Sequence, residues 1–373
     1  MKTVVNIVRV LVGLLFIFSG LVKANDPLGL SYKMQEFFDV WAQNESLAHL
    51  MQWLDRYALP FSIIMITLEI VVGVGILLGT WKGFFSKLLV LLIIFFAFLT
   101  GYAVLSGKIA TCGCFGDCIP LPAVGSFIKD LVLLVLVLVI YGGLKHIRPV
   151  AAPAMNAVIL LLSTVAVLGL QWYVLRHGPF LDCLPFHKGA NLIEARKVPA
   201  DAVPDQKAFR FYYRKNGKEQ DFSEKNLPDS TWEFVRREDI VIKKGRNNEP
   251  PIKDFYLTTA SGNDTTDAVL NTHGNYYLFF IKDFPADADR WMKNFVMIDT
   301  YAKHVGIPLW IVTSEPEAAQ RFFNDRNGMN LPILTLDATS LKTAARTNPE
   351  LYLMSGPLVE NKWSWADFDK VYH

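Results

Sequence analysis

Charged residues are scarce in the first half of this 373-residue chain. Residues 1–178 carry 20 charged side chains, whereas residues 179–373 carry 52. The whole chain is 52% hydrophobic and has a mean hydropathy of +0.26, which argues against a disordered protein and against an ordinary soluble globule. The composition therefore predicts a membrane region in a lipid bilayer, followed by a soluble region of ordinary domain size.

Two further absences exclude other classes of protein. The sequence has no block of basic residues and its net charge is only +2, so we expect no nucleic-acid partner. Four cysteines in 373 residues are too few for a disulfide-rich secreted scaffold. The few thiols that are present are therefore candidates for a specific site.

Five apolar stretches in the first half are each near the length that crosses a bilayer, about 20 residues. They cover residues 4–22, 59–80, 87–106, 125–144 and 152–175. The first stretch could instead be a cleaved signal peptide, but it lacks a conventional cleavage site and four further stretches follow it. We therefore predict five transmembrane helices.

Lysine and arginine in short loops predict the orientation of these spans, because such loops favour the cytoplasm. Basic residues follow the second and fourth spans, at Lys82, Lys87, Lys145 and Arg148. The N-terminus is then cytoplasmic, and the loops 23–58 and 107–124 face outward. An odd number of spans places residues 179–373 outside as well. We expect a bacterial inner-membrane protein with a periplasmic C-terminal region.

All four cysteines lie on the predicted outer, oxidising side. Cys112-Gly-Cys114-Phe-Gly-Asp-Cys118 lies between the third and fourth spans, and Cys183 follows the fifth. Three interpretations are open: a redox-active dithiol, a structural disulfide set, or a metal site. We do not expect a metal site, because a second C-x-x-C and a nearby histidine are missing. We favour Cys112 and Cys114 as the functional unit, with Cys118 and Cys183 bridging the membrane loop to the soluble region, although that bridge could merely staple the two domains.

Charged side chains within or beside the spans need a partner or water, because an isolated charge in hydrocarbon is costly. Glu69 is near the middle of the second span and Arg9 is toward the inner side of the first, whereas Lys23, Lys129 and Asp130 are expected near the outer surface. In a functional interpretation, Glu69 accepts protons beside a bound quinone, with Arg9 or Lys23 as its partner and Lys129 close by. In a structural interpretation, ion pairs fix the bundle, or Lys23 and Lys129 extend to the interface.

Several of these residues resemble a known family. Phe18-Ser19-Gly20, Lys23 and Asp26-Pro27-Leu28-Gly29 are similar to the opening of DoxX-like proteins, and the segment Cys112–Asp117 resembles the loop of the related MauE-like branch. The resemblance covers about residues 1–145. It implies a four-helix membrane bundle and thiol, sulfur or quinone redox chemistry, since MauE-like proteins are associated with disulfide formation in an exported enzyme. Cys118 and the fifth span are not part of this pattern.

The second half predicts a β-rich connector and an α/β domain. Two strands flanking Asn216-Gly217 predict a hairpin within residues 179–250. From residue 251, short apolar strands alternate with helical segments and end in a hairpin, which predicts a compact α/β domain.

The order of these elements resembles the thioredoxin-like fold. Pro349 matches the position of that family's cis-proline, and Pro250–Phe255 is similar to its opening hairpin. The segment Asp283–Arg290, after the first core strand, lacks the family's C-x-x-C, and no cysteine lies within residues 184–373. We therefore expect this domain to bind a partner or to cap the membrane site, without dithiol chemistry of its own.

Together these features predict a membrane α-helical bundle, with a four-helix DoxX/MauE-like core and a fifth transmembrane helix, joined to a C-terminal α/β thioredoxin-like domain. The predicted segments are 1–148 for the core, 149–178 for the fifth helix, 179–250 for the connector and 251–373 for the α/β domain. The favoured function is thiol–disulfide exchange at the cysteine loop, coupled to the quinone pool, with Cys112, Cys114, Cys118 and Cys183 as the reacting residues. The alternative is a non-catalytic assembly or maturation factor that binds a periplasmic client or a partner membrane protein; a transporter is a third hypothesis.

Overall fold

Long apolar helices form the first half of the protein. The computed structural model describes residues 2–109, 113, 116–119, 121–243, 245–284 and 287–372. The helices of this half are α1 (Lys2–Ala24), α2 (Pro27–Ala42), α3 (Glu45–Asp55), α4 (Ala58–Leu78), α5 (Lys82–Ser106), α6 (Ala123–Gly142) and α7 (Pro153–His177). All except α2 and α3 are long and apolar enough to cross a membrane, which confirms the five predicted helical spans.

Glycines bring α1 and α4 into close contact. A Cβ atom on Gly73 would lie 2.8 Å from the backbone oxygen of Gly13, and one on Gly13 would lie 2.6 Å from Cγ of Leu77. A Cβ atom on Gly20 would lie 2.4 Å from Cγ1 of Ile70. Small residues allow helices to associate closely in lipid, where the hydrophobic effect does not drive them together. The same contact brings the end of α1 beside the middle of α4.

The segment between the first two spans is helical, where the sequence predicted only a loop. Asp26 caps α2 by accepting a hydrogen bond from the Gly29 nitrogen at 3.0 Å, and Pro27 occupies the first turn. Asn44 caps α3 in the same way through the Ser46 nitrogen. These two helices lie at the end of the bundle that faces the C-terminal half, which we call the domain-facing end.

A small antiparallel sheet follows α7 and the short helix α8 (Leu192–Ala195). Its strands are β1 (Gln206–Lys215), β2 (Lys218–Ser223) and β3 (Glu233–Lys243), in the order β2-β1-β3. The predicted hairpin is confirmed, with Asn216 and Gly217 both at positive φ in the turn. Strand β3 was not predicted, because charged residues interrupt its apolar alternation.

The C-terminal region is an α/β domain built on a five-stranded sheet. The strands are β4 (Asn275–Phe280), β5 (Leu309–Thr313), β6 (Ile333–Thr335), β7 (Glu350–Ser355) and β8 (Leu358–Ser364). Their order is β6-β5-β4-β7-β8; β4, β5 and β6 run parallel, whereas β7 and β8 are antiparallel additions. The helices are α9 (Thr266–Leu270), α10 (Met292–Val305), α11 (Pro316–Ala319) and α12 (Ala338–Ala344).

Apolar side chains are buried on both faces of this sheet. Tyr276, Leu278 and Phe280 of β4 belong to one core cluster, whereas Tyr277 and Phe279 belong to the other. The predicted α/β alternation is therefore confirmed. The expectation of a hairpin at Pro250–Phe255 is wrong, because no strand forms over those residues. Ile252 and Phe255 are nevertheless buried in the core.

Candidate functional site

A buried ion pair joins α1 and α4 inside the membrane bundle. Nζ of Lys23 lies 2.6 Å from Oε1 of Glu69, and the two side chains are only 5% and 4% exposed. The second carboxylate oxygen of Glu69, Oε2, is buried and has no hydrogen-bond partner within the described part of the chain. Since buried polar atoms are usually hydrogen-bonded, this oxygen is a candidate acceptor for a bound molecule or a proton.

A second polar cluster faces the same space from α5 and α6. Nζ of Lys129 lies 3.0 Å from Oδ1 of Asp130, whose side chain is completely buried. The hydroxyl of Thr100 lies 3.0 Å from the other oxygen of Asp130 and also contacts the Phe96 carbonyl at 2.9 Å. Two lysines and two carboxylates are thus held within an apolar bundle.

These groups line a cavity of about 60 Å³, enough for a few water molecules. Its polar lining residues are Ser19, Lys23, Lys33, Glu69, Thr100, Lys129 and Asp130. Aromatic and aliphatic side chains complete the wall, among them Phe16, Phe95 and Phe96. Nζ of Lys23 also lies 5.0 Å from the centre of the Phe96 ring. The cavity combines apolar walls with a few charged groups, the composition typical of small-molecule sites.

One described residue of the cysteine loop lines this cavity. Gly113, which is between Cys112 and Cys114 in the sequence, is one of the cavity-lining residues. A Cβ atom on Gly113 would lie 3.1 Å from Cγ of Lys33 on α2, and its φ of +64° favours glycine. Cys112 and Cys114 themselves lie outside the described residues. Gly113 shares the wall of the cavity with Lys23 and Glu69.

The other two cysteines form a disulfide. Cys118, at the end of the cysteine loop, is bonded to Cys183, which follows α7. The predicted bridge between the membrane loop and the soluble half is therefore confirmed. Cys183 is exposed, whereas Cys118 is half-buried.

Arg346, just after α12, connects the α/β domain to two membrane-region segments. Its Nε donates to Oδ2 of Asp26 at 2.7 Å, and its Nη2 donates to Oδ2 of Asp117 at 2.5 Å. Gly29 makes room for both carboxylates, because a Cβ atom there would lie 2.6 Å from Asp26 and 3.2 Å from Asp117. Burial alone would lower the pKa of Arg346, but the two carboxylates outweigh burial and raise it, so the residue stays charged.

Lys362 of β8 makes a similar contact with the segment that carries Cys183. Its Nζ lies 2.7 Å from Oδ2 of Asp182 and 3.2 Å from Oε1 of Glu350. Burial opposes the charged form of Lys362, yet the nearby Tyr352 phenol and the two carboxylates raise its pKa. The α/β domain is thus attached on both sides of the disulfide.

Lys282, after the first core strand β4, occupies the interface at the place where the sequence lacks a C-x-x-C. Its Nζ donates to the Tyr32 hydroxyl of α2 at 3.0 Å and to the Ala345 carbonyl at 2.7 Å. Burial lowers the pKa of Lys282 to about 8 and raises the pKa of Tyr32. This end of the domain therefore packs on α2.

Residues 1–143 match the family of the methylamine utilisation protein MauE. This range contains α1 to α6 and the cysteine loop but not α7, so the part of the membrane region up to α6 is similar to MauE. Residues 208–244 match a domain of unknown function, DUF8463, and coincide with the small sheet β1–β3. No curated protein and no solved structure matches the chain significantly.

The MauE-like region brings together three of the four predicted cofactor-binding residues: Lys23, Glu69 and Lys129. Arg9 is not among the cavity-lining residues; its Nη1 donates to the Arg148 carbonyl at 3.3 Å. Of the two predicted partners for Glu69, the structure therefore selects Lys23. The expectation that Lys23, Lys129 and Asp130 lie near the outer membrane surface stays a prediction; within the bundle, the side chains of Lys23 and Asp130 are buried.

Sequence reasoning missed the two interface cations, Arg346 and Lys362. Their partners carried a signal, since Asp117 and Asp182 each immediately precede a cysteine of the bridge. Nothing in local sequence, however, indicated which distant cation would reach them.

Proposed function

We propose that this MauE-like chain is a membrane-bound thiol–disulfide redox protein. The observation that carries the proposal is the position of Gly113, between two cysteines and at the wall of the cavity that contains Lys23 and Glu69. A dithiol at a membrane cavity can pass electrons between a soluble thiol and a membrane-dissolved acceptor. On the basis of the loop charges, the cysteines face the periplasm of a bacterium and the N-terminus faces the cytoplasm.

The elementary step is thiolate attack through a mixed disulfide. A thiolate of a client protein attacks the disulfide formed by Cys112 and Cys114, and one of the two leaves as a thiolate. The second client thiolate then attacks the mixed disulfide and releases the other cysteine. Two electrons and two protons pass from the client dithiol to the loop, and the client keeps a new disulfide.

The residues around the cavity fit a quinone as the group that reoxidises the loop. A bound quinone supplies an acceptor for two electrons and two protons. Lys23 and Lys129 would donate hydrogen bonds to its oxygens, and the unpartnered Oε2 of Glu69 would hold a proton. The cavity of about 60 Å³ has room for a few water molecules, so the side chains around it must move before a quinone ring can enter.

The α/β domain contributes a binding surface in this proposal. Its strand order, with three parallel strands and two antiparallel ones, supports the thioredoxin-like assignment. Because residues 184–373 contain no cysteine, the domain supplies contacts to the cysteine loop and no dithiol.

A second candidate is a non-catalytic assembly or maturation factor whose cysteines are structural. The Cys118–Cys183 bridge favours this candidate, because it joins the membrane region to the α/β domain as a structural disulfide would. In that case the domain binds a client or a partner membrane protein, and the cysteine loop does not turn over.

Mapping the cysteine redox states in intact membranes distinguishes the two candidates. Membranes are treated with acid to trap thiols, alkylated, and analysed by peptide mass spectrometry, with and without a quinone analogue. We expect Cys112 and Cys114 to change state with the analogue in the wild type and to lose that response in Glu69→Gln. Arg9→Gln is the matched control, because Arg9 is a charged residue of the same bundle outside the cavity. A single fixed state of both thiols under every condition refutes the redox proposal and favours the assembly factor.

A further inference from the structure

Both halves of the Cys118–Cys183 bridge are held by ion pairs that do not involve sulfur. Asp117 precedes Cys118 and pairs with Arg346 at 2.5 Å, and Asp182 precedes Cys183 and pairs with Lys362 at 2.7 Å. The two cations belong to the α/β domain and are largely buried. The α/β domain therefore forms an ion pair with the residue that precedes each cysteine of the bridge.

Additional contacts attach the Cys183 segment and the α/β domain to the membrane region. The side chain of Asn25, after α1, donates to the Leu181 carbonyl at 2.8 Å and accepts from the Leu181 nitrogen at 3.0 Å. Arg346 also holds Asp26, the capping residue of α2. The Cys183 segment is thus held by the membrane region and by the α/β domain, whereas the Cys118 segment is held by the α/β domain through Asp117.

We propose that Cys118 and Cys183 are a reversible redox pair, and that Arg346 and Lys362 are positioning residues that keep the two thiols in register when the bridge opens. The identification of the natural reductant as a protein dithiol rests on the proposed function. The positioning role of Arg346 and Lys362 does not. Two thiols that neighbouring contacts hold together have a high effective concentration and re-form their bond readily. If the bridge were the main link between these two segments, its thiols would move apart once it opened.

The exposed position of Cys183 defines the redox step. A thiolate of the dithiol attacks Sγ of Cys183, the sulfur–sulfur bond breaks, and Cys118 leaves as a thiolate that takes up a proton. The second thiolate of the dithiol attacks the mixed disulfide and releases Cys183, which also takes up a proton. The dithiol becomes a disulfide, and the pair gains two electrons and two protons.

Equilibration with glutathione measures the effective concentration of the two thiols. The full-length protein carries Cys112→Ser and Cys114→Ser, so that only Cys118 and Cys183 titrate. We expect Arg346→Met and Lys362→Met each to lower the effective concentration about tenfold, the factor that a coupling of about 1.4 kcal/mol produces. Asp117→Asn, a milder change, should act in the same direction, and Arg346→Lys should recover part of the loss.

Lys342→Met is the matched control. Lys342 contacts Gln35 of α2 at the same interface but touches neither cysteine segment. Its substitution should leave the effective concentration unchanged. Equal values in the wild type, Arg346→Met, Lys362→Met and Asp117→Asn overturn the proposal. Because the background lacks Cys112 and Cys114, this result does not depend on whether the cysteine loop exchanges electrons with a client or a quinone.

A second measurement asks whether the domain stays docked without the bridge. Ser31 of α2 is buried and lines the cleft between the membrane region and the α/β domain, so Ser31→Cys reports undocking through its alkylation rate. In a chain with all native cysteines replaced by serine, we expect slow alkylation, and faster alkylation after Arg346→Met and Lys362→Met are added. Fast alkylation in the serine-substituted chain alone shows that the bridge is a staple and overturns the proposal.

Discussion

The Lys23–Glu69 pair allows a quantitative test of charge compensation inside the bundle. In the described part of the chain, Lys23 is the only cation within 4 Å of the Glu69 carboxylate, and Lys23→Met removes it. The Glu69 side chain is 4% exposed, and Nζ of Lys23 lies 2.6 Å from its Oε1. Removing one partner of a buried pair typically costs about 3–5 kcal/mol, because the remaining charge is left uncompensated. We expect a value at the upper end, since Oε2 of Glu69 already lacks a partner among the described residues and Oε1 would join it.

The double variant Lys23→Met/Glu69→Gln is the informative comparison. It removes both charges, so we expect stability within about 2 kcal/mol of the wild type, and less loss than Lys23→Met alone causes. Unfolding in mixed micelles with increasing SDS, followed by tryptophan fluorescence, measures both variants. Lys82→Met is the control, because Lys82 donates to the Ile147 carbonyl at the bundle end and forms no ion pair with any residue that the structure describes. A loss below about 1 kcal/mol in Lys23→Met, or additive losses in the double variant, would refute the reasoning.

Three further predictions concern helix packing, the sheet core and an interface lysine. Gly73→Ala should destabilise the bundle by about 1–3 kcal/mol in the same SDS titration, because its Cβ atom would lie 2.8 Å from the Gly13 backbone oxygen. Gly169→Ala should be neutral, because its Cβ atom would meet no atom of the described residues within 4 Å. Phe279→Ala should cost the α/β domain about 3–5 kcal/mol in urea unfolding, since the ring is fully buried. Burial lowers the pKa of Lys282 from 10.5 to about 8, so the unfolded chain binds more protons between these values. Domain stability should therefore rise from pH 8 to pH 10 in the wild type relative to Lys282→Met, and an identical pH dependence in both would contradict this assignment.

The membrane helices were predictable because their signal is local. An apolar stretch of about 20 residues can satisfy its backbone only as a helix in lipid, whatever the rest of the chain does. Helices α2 and α3 were missed because their apolar positions are interrupted and their stability comes from packing at the domain-facing end. In the soluble half, apolar β4 and β5 were recognised, whereas β3 was hidden by its charged stretch Arg236–Asp239.

The candidate site was predictable in composition but not in pairing. The charges within apolar stretches drew attention to Lys23 and Glu69, and the disulfide followed from the number of cysteines and their predicted side. Arg9 was an equally good partner for Glu69 in the sequence, and only the approach of α1 to α4 decided between them. The contact between Asp117 and Arg346 spans 229 positions, so no local pattern could have indicated it.

The bridge between Cys118 and Cys183 closes the intervening chain into a covalent ring. That ring contains the whole of α6 and α7 together with the turn between them, at the opposite end of the bundle from the disulfide. A single protease cut within residues 143–152 would therefore open the ring without separating its two pieces. The nicked protein should migrate as one species on a non-reducing gel and as two after reduction. Electrophoretic mobility then shows whether the bridge is open or closed in intact membranes, with no label on either sulfur.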